Sequence, residues 1–62
     1  MAYIDYFGTD IKVSVEERME DGHVKIRALV GHPFDEDNNG RMVRRCSADT
    51  AIVEQEQVRG ET

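Results

Sequence analysis

The clearest chemical pattern in the sequence is the acidic run from Asp35 to Gly40. It reads D-x-D-x-N-G, the opening of a calcium loop in which oxygens on alternate residues converge on the cation and the glycine permits a sharp turn. The twelfth position of such a loop needs a bidentate glutamate, and this chain has Cys46 there. The run is therefore predicted to be a solvated acidic loop that lacks a closed cation site.

The imidazole and thiol groups are those of His23, His32 and Cys46. Structural zinc takes four such ligands, often in closely spaced pairs, and these three are far apart along the chain. A cysteine nucleophile needs a neighbouring base, and no histidine is close to Cys46 in sequence. Adjacent carboxylates in a strand point to opposite faces, so they form no acid–base pair. We predict no catalytic, cofactor-binding or metal-binding residue, and no enzymatic activity.

The elements that would position any site begin with a β-hairpin. Apolar and polar residues alternate with period two over residues 11–16 and again over 24–28, as in half-buried strands. Asp21-Gly22 lies between them and is a favoured pair for a two-residue turn with positive φ. This turn predicts the cross-strand pairs Met19–Val24, Val15–Ala28 and Val13–Val30, with Glu17 opposite Ile26 as the single mismatch.

The polar face of this hairpin is predicted to be basic. Glu16 is its one acidic side chain and is expected to face Arg27, whereas Arg18 is expected to face Lys25. The arginines between residues 41 and 45 form a second basic group. Two tyrosines near the N-terminus add aromatic side chains, which can stack on bases or anchor protein interfaces. The candidate binding surface consists of Tyr3, Tyr6, Lys12, Arg18, Lys25, Arg27, Arg44 and Arg45.

Further strands are predicted over residues 2–7, where Gly8 ends the strand, and over residues 41–46. Residues 48–59 have two interpretations: a strand over 50–54, favoured by β-branched residues, or a helix that Ser47 caps and Gly60 stops. The strand is preferred. The predicted fold is mainly β, a small antiparallel curled sheet or open barrel of roughly four to five strands. The alternative is an α+β fold, an antiparallel sheet with one C-terminal helix.

The chain has 62 residues and is predicted to form a single domain, 1–62. At this size apolar burial and the entropic cost of ordering the chain are both about 90 kcal/mol, so they nearly cancel. Cys46 is the only cysteine, so a disulfide within the chain cannot stabilise the fold. We therefore expect a homodimer.

The net charge of −5 argues against non-specific nucleic-acid binding, which needs excess lysine and arginine. The sequence has no signal peptide and no apolar run of about 20 residues, so no membrane partner is expected. A lone cysteine suggests the cytoplasm, and a chain that opens with Met1 reads as a complete small gene product.

From these features we expect a non-enzymatic adaptor or regulator that binds another protein, such as an inhibitor of a larger machine. The alternative is a nucleic-acid-binding module that uses the basic face of the 11–31 hairpin.

Overall fold

A single antiparallel sheet of six strands forms the fold in the computed structural model, which describes residues 1–37 and 41–60. The sheet is not closed, and its strand order is β4-β5-β3-β2-β1-β6. The predicted mainly β, curled antiparallel fold is confirmed, with one more short strand, at the C-terminal end, than the sequence indicated. The strands are β1 (Ala2–Tyr6), β2 (Thr9–Arg18), β3 (His23–Ala28), β4 (Arg44–Arg45), β5 (Thr50–Glu54) and β6 (Val58–Arg59).

The C-terminal segment is extended, so the alternative with a helix over residues 48–59 is wrong. β5 pairs with the central strand β3, and its residues Thr50–Val53 are all buried. One 3-10 turn, Gln55–Gln57, then leads into β6, which pairs with β1. Burial on a central strand suits the β-branched residues of this segment and outweighs the helical tendency of its glutamates and glutamines. Across residues 1–37 and 41–60, no helix is long and apolar enough to cross a membrane.

The β2–β3 hairpin is confirmed, but the predicted register is wrong. The loop has three residues, Glu20-Asp21-Gly22, because Met19 N donates a hydrogen bond to His23 O at 2.8 Å. Gly22 has a φ of +84°, whereas Asp21 is not among the residues with positive φ. A two-residue I′ turn needs positive φ at both central positions, so the chain adopts the longer loop that ends in a left-handed glycine.

A β-bulge at Glu16 completes the change of register. Val15 pairs with Ile26 while Glu17 pairs with Lys25, which leaves Glu16 as the extra residue. The predicted mismatch of Glu17 with Ile26 therefore does not occur. The longer loop and the bulge each move the register by one residue, so the apolar side of both strands is kept. The observed pairs are Val13–Ala28, Ser14–Arg27, Val15–Ile26, Glu17–Lys25 and Arg18–Val24.

The two-residue turn with positive φ occurs instead between β1 and β2. Phe7 has a φ of +52° and Gly8 a φ of +82°, while the flanking residues Tyr6 and Thr9 are paired. Gly8 N also donates to Asp5 Oδ1 at 2.9 Å, which fixes the turn. The predicted first strand thus ends one residue early, at Tyr6.

The hydrophobic core lies on one side of the sheet, here called the inner face. The connection between β3 and β4 crosses this face and inserts the buried side chain of Phe34. Phe34 N donates to Ala48 O at 2.9 Å, and the Phe34 ring lies 5.5 Å from that of Tyr6, edge to face. The sheet residues of this core are Ala2, Ile4, Val13, Val24, Ile26, Ala28, Ala51 and Val53.

The strand predicted over residues 41–46 is reduced to two residues, Arg44–Arg45. Cys46 N and Ser47 N both donate to Thr50 O at 3.0 Å, so the chain turns back towards β5 directly after Arg45. The predicted length was wrong because this tight return leaves no room for a longer strand.

Candidate protein-binding face

Most of the predicted binding residues lie together on the side of the sheet opposite the core, here called the outer face. Strand register places them there, because their neighbours along each strand point into the core. Tyr3, Lys12 and Lys25 are half-buried, and Arg27 and Arg44 are exposed. The structure therefore assembles one surface from four strands that are distant in sequence.

The other three predicted residues lie elsewhere. The bulge moves Arg18 opposite Val24, and Arg18 Nη1 donates to Gln55 Oε1 at 2.6 Å. Arg45 pairs with Ala51 on the inner-face side, where its Nε donates to Phe34 O at 3.3 Å. The Tyr6 side chain packs against the core, and its hydroxyl accepts a hydrogen bond from Asp35 N at 3.2 Å. The predicted pair of Arg18 with Lys25 is thus wrong.

Arg27 is the most strongly paired cation of the outer face. Its Nε lies 2.9 Å from Glu16 Oε2, and its Nη1 lies 3.0 Å from Asp49 Oδ2. The predicted attraction between Glu16 and Arg27 is confirmed, although Ser14 is the residue directly opposite Arg27. The hydrogen bond that Arg27 donates to Glu16 is the main cause that raises the pKa of Arg27 above its ordinary value.

Asp49 is held by hydrogen bonds at the start of β5. Ser47 Oγ donates to Asp49 Oδ1 at 2.9 Å, and this bond is the largest cause that lowers the pKa of Asp49. The charge of Arg27 acts in the same direction. Ala28 N also donates to Asp49 O at 2.7 Å, so this residue ties the turn before β5 to the end of β3.

Replacing Asp49 with asparagine is expected to lower the melting temperature at neutral pH. A depressed pKa contributes stability that is fully present above the unfolded-state value of about 3.9, and that is lost as the pH falls through the folded-state pKa. The difference between wild type and Asp49→Asn should therefore shrink as the pH falls below about 4. Thermal melts of both proteins across this range measure it. A difference that stays constant with pH would contradict the assignment, since all other carboxylates are common to both proteins.

A row of side chains crosses the outer face from β4 to β2. Arg44 faces Ile52, Ile52 faces Lys25, and Lys25 faces Glu17. Ile52 is buried yet does not belong to the core cluster. Its apolar side chain lies between two basic neighbours whose alkyl stems cover it. The unbroken apolar run Ala51-Ile52-Val53 was the sequence signal for a strand buried on both faces.

Tyr3 lies at the other end of the outer face. It pairs with Lys12 on β2 and with Arg59 on β6. Arg59 forms an ion pair with Asp10. Lys12, Lys25 and Arg44 form no ion pair with the residues that the structure describes. On the outer face, Arg27 and Arg59 are thus paired with carboxylates, whereas the other three cations have no such partner in the part of the chain that the structure describes.

His23 lies between two carboxylates near the hairpin loop. Its Nδ1 is 3.2 Å from Asp21 Oδ2, and its Nε2 is 3.3 Å from Glu54 Oε1. The carboxylates approach opposite ring nitrogens, so the three groups do not converge on one point. In the described ranges, no group of three His, Cys, Asp or Glu residues is arranged to hold a metal ion.

The acidic run that resembles a calcium loop is described only in part. Asp37 N donates to Asp35 Oδ1 at 2.8 Å, which is a local turn. Residues 38–40 lie outside the described residues. Cys46 is exposed at the end of β4.

A polar cleft of about 410 Å³ lies beside β6 and was not predicted. Its two arginines are balanced by two carboxylates. No sequence signal marked the cleft, because its residues come from β1, from the 3-10 turn and β6, and from the segment before β4. They are Asp5, Arg41, Glu56, Gln57 and Arg59.

Comparison with protein-family models, with curated proteins and with solved structures found no match.

Proposed function

We propose that this protein is a non-enzymatic adaptor or regulator that binds another protein through the outer face, for example as an inhibitor of a larger machine. The observation that carries the proposal is the charge balance of this face. Arg27 contacts two carboxylates, and Arg59 pairs with Asp10. A mixed surface with arginine and tyrosine side chains suits a protein partner, whereas phosphate binding needs an excess of positive charge.

A second function, nucleic-acid binding, is supported by one specific observation. Tyr3 lies beside Lys12 on the same face as Lys25 and Arg44, and these three cations have no carboxylate partner among the described residues. A half-buried ring next to unneutralised cations is an arrangement that stacks a base and holds its phosphate.

A titration with labelled oligonucleotides separates the two functions. We expect no binding by wild type at about 10 μM protein and about 0.15 M salt, because the net charge repels phosphate. The matched variant is Lys12→Glu/Lys25→Glu, whose surface positions should cost under about 0.5 kcal/mol each in stability. Micromolar binding by wild type that the variant loses would establish the nucleic-acid function instead.

Affinity capture from the source cell tests the adaptor function directly. A protein recovered with wild type should be recovered at least about tenfold less with Tyr3→Ala/Lys12→Glu, because aromatic anchors carry much of the energy of an interface. Circular dichroism confirms that the variant is folded. Equal recovery by both baits would place the partner on another surface.

We also propose that the chain forms a homodimer and resides in the cytoplasm. The core is one sheet face covered by a connection, and large apolar side chains such as Leu29, Val30 and Val43 remain exposed. Sedimentation at micromolar concentration should show a species of twice the chain mass, which Leu29→Lys/Val30→Lys should shift to monomer. A wild-type monomer with a high melting temperature would contradict the dimer. The exposed thiol of Cys46 suits a reducing compartment.

A further inference from the structure

Strand β4 is the outermost strand of the sheet on one side. It pairs with β5 through Arg44–Ile52 and Arg45–Ala51, and no further strand that the structure describes follows it on its other side. An edge strand presents a row of backbone groups that can accept another strand. Here these groups, with the side chains at this strand, are called the β4 edge: Val43, Arg44 and Arg45.

The backbone of Arg45 points to the open side of the β4 edge. Cys46 N donates to Thr50 O on β5. Because the direction of successive N–H groups alternates along a strand, the N–H of Arg45 points away from β5. The edge therefore offers a donor that a new strand would satisfy.

The β4 edge carries unneutralised positive charge. Arg44 and Arg45 form no ion pair with the described part of the chain, in contrast to Arg27 and Arg59. The Arg45 guanidinium is anchored on Phe34 O, so it holds the edge in place. Arg44 is exposed on the outer-face side.

Charge decides which occupant fits the edge. Two copies joined through β4 would bring the arginines of one edge against those of the other, and like charges directly across strands are destabilising. An extended segment with acidic side chains gains both the backbone hydrogen bonds and the opposite charges.

We propose that an extended acidic segment of another protein adds to the β4 edge as a further strand. This inference rests on the proposed protein-binding function and names its partner chemistry. Backbone hydrogen bonds at Arg45 fix the register, and an acidic side chain beside Arg44 selects the sequence.

The probe is a blocked six-residue peptide in which glutamate and valine alternate, with a lysine–valine peptide as its matched control. Addition of the glutamate peptide to the full chain should shift the backbone amide resonances of residues 43–46 and slow hydrogen exchange at Arg45. Arg44→Glu should weaken binding at least about tenfold, whereas Arg18→Glu, with the same change in net charge, should leave it within about twofold. The lysine peptide should bind Arg44→Glu better than wild type.

The backbone hydrogen bonds are tested with two N-methylated versions of the glutamate peptide. One is methylated on the odd residues and the other on the even residues. Only one should lose binding, because alternate N–H groups face β4. Equal weakening by Arg44→Glu and Arg18→Glu, or equal binding of both methylated peptides, would overturn the inference. If the glutamate peptide shifts only the resonances of Tyr3 and Lys12, or shifts none while the outer-face partner is still captured, the inference about the β4 edge is wrong. The proposed adaptor function would not be affected by that result.

Discussion

Phe34→Ala is expected to cost about 3–5 kcal/mol in free energy of unfolding, the usual range for a buried phenylalanine. The side chain is 3% exposed and is the buried group through which the β3–β4 connection covers the inner face. A domain of this size rarely has more than about 3–5 kcal/mol in total. The variant should therefore lack a cooperative thermal transition, measured by circular dichroism.

Phe7→Ala is the matched control for this experiment. Phe7 is 61% exposed, and its ring contacts Tyr6 at 4.7 Å, edge to face. The loss of such an aromatic pair costs under about 1.5 kcal/mol. Alanine keeps a Cβ, so the positive φ at this position is equally unfavourable in both proteins. If Phe34→Ala melts like Phe7→Ala, the connection does not close the core.

Ile26→Ala is expected to cost about 2–5 kcal/mol, because the side chain lies where no rearrangement can fill its space. Ile26 is 0% exposed in β3, the strand between β2 and β5. It pairs with Val15 on one side and Ala51 on the other. Urea unfolding followed by circular dichroism measures the change, and the midpoint should fall to low denaturant.

Leu29→Ala removes the same number of carbon atoms from an exposed position. Leu29 is 50% exposed just beyond the end of β3, and its replacement should change stability by about 0.5 kcal/mol or less. Equal midpoints for Ile26→Ala and Leu29→Ala would mean that the centre of the sheet is not the stabilising core.

The hairpin could be predicted because its strands carry a strong period of two and a glycine turn. Its register could not be predicted from the sequence, because a glycine at position 22 is equally compatible with a two-residue loop and with a three-residue loop. Which loop forms depends on the φ of Asp21, and this angle depends in turn on the strand pairing that the bulge at Glu16 permits. Both arrangements keep Val13 and Val15 on the side of Ile26 and Ala28, so the hydrophobic pattern of these residues does not distinguish them.

The short strands β4 and β6 carry too few residues for any period to be read. Val58 fitted a helical stripe as well as a strand, and its pairing with Ile4 is what makes it extended. On the candidate site, alternation placed Lys12, Lys25 and Arg27 on one face. It misplaced Arg18, because a bulge between Val15 and Glu17 reverses the direction of every later side chain.

The pairing of β1 with β6 joins the two ends of the chain, since Tyr3 lies beside Arg59. Loop closure over nearly the whole sequence must precede this contact, whereas the β2–β3 hairpin closes over three residues and can form within microseconds. Such a high contact order slows folding. We therefore expect the return of the C-terminal strand to β1 to be the slow step, and a covalent link between the ends should accelerate folding without adding a native contact.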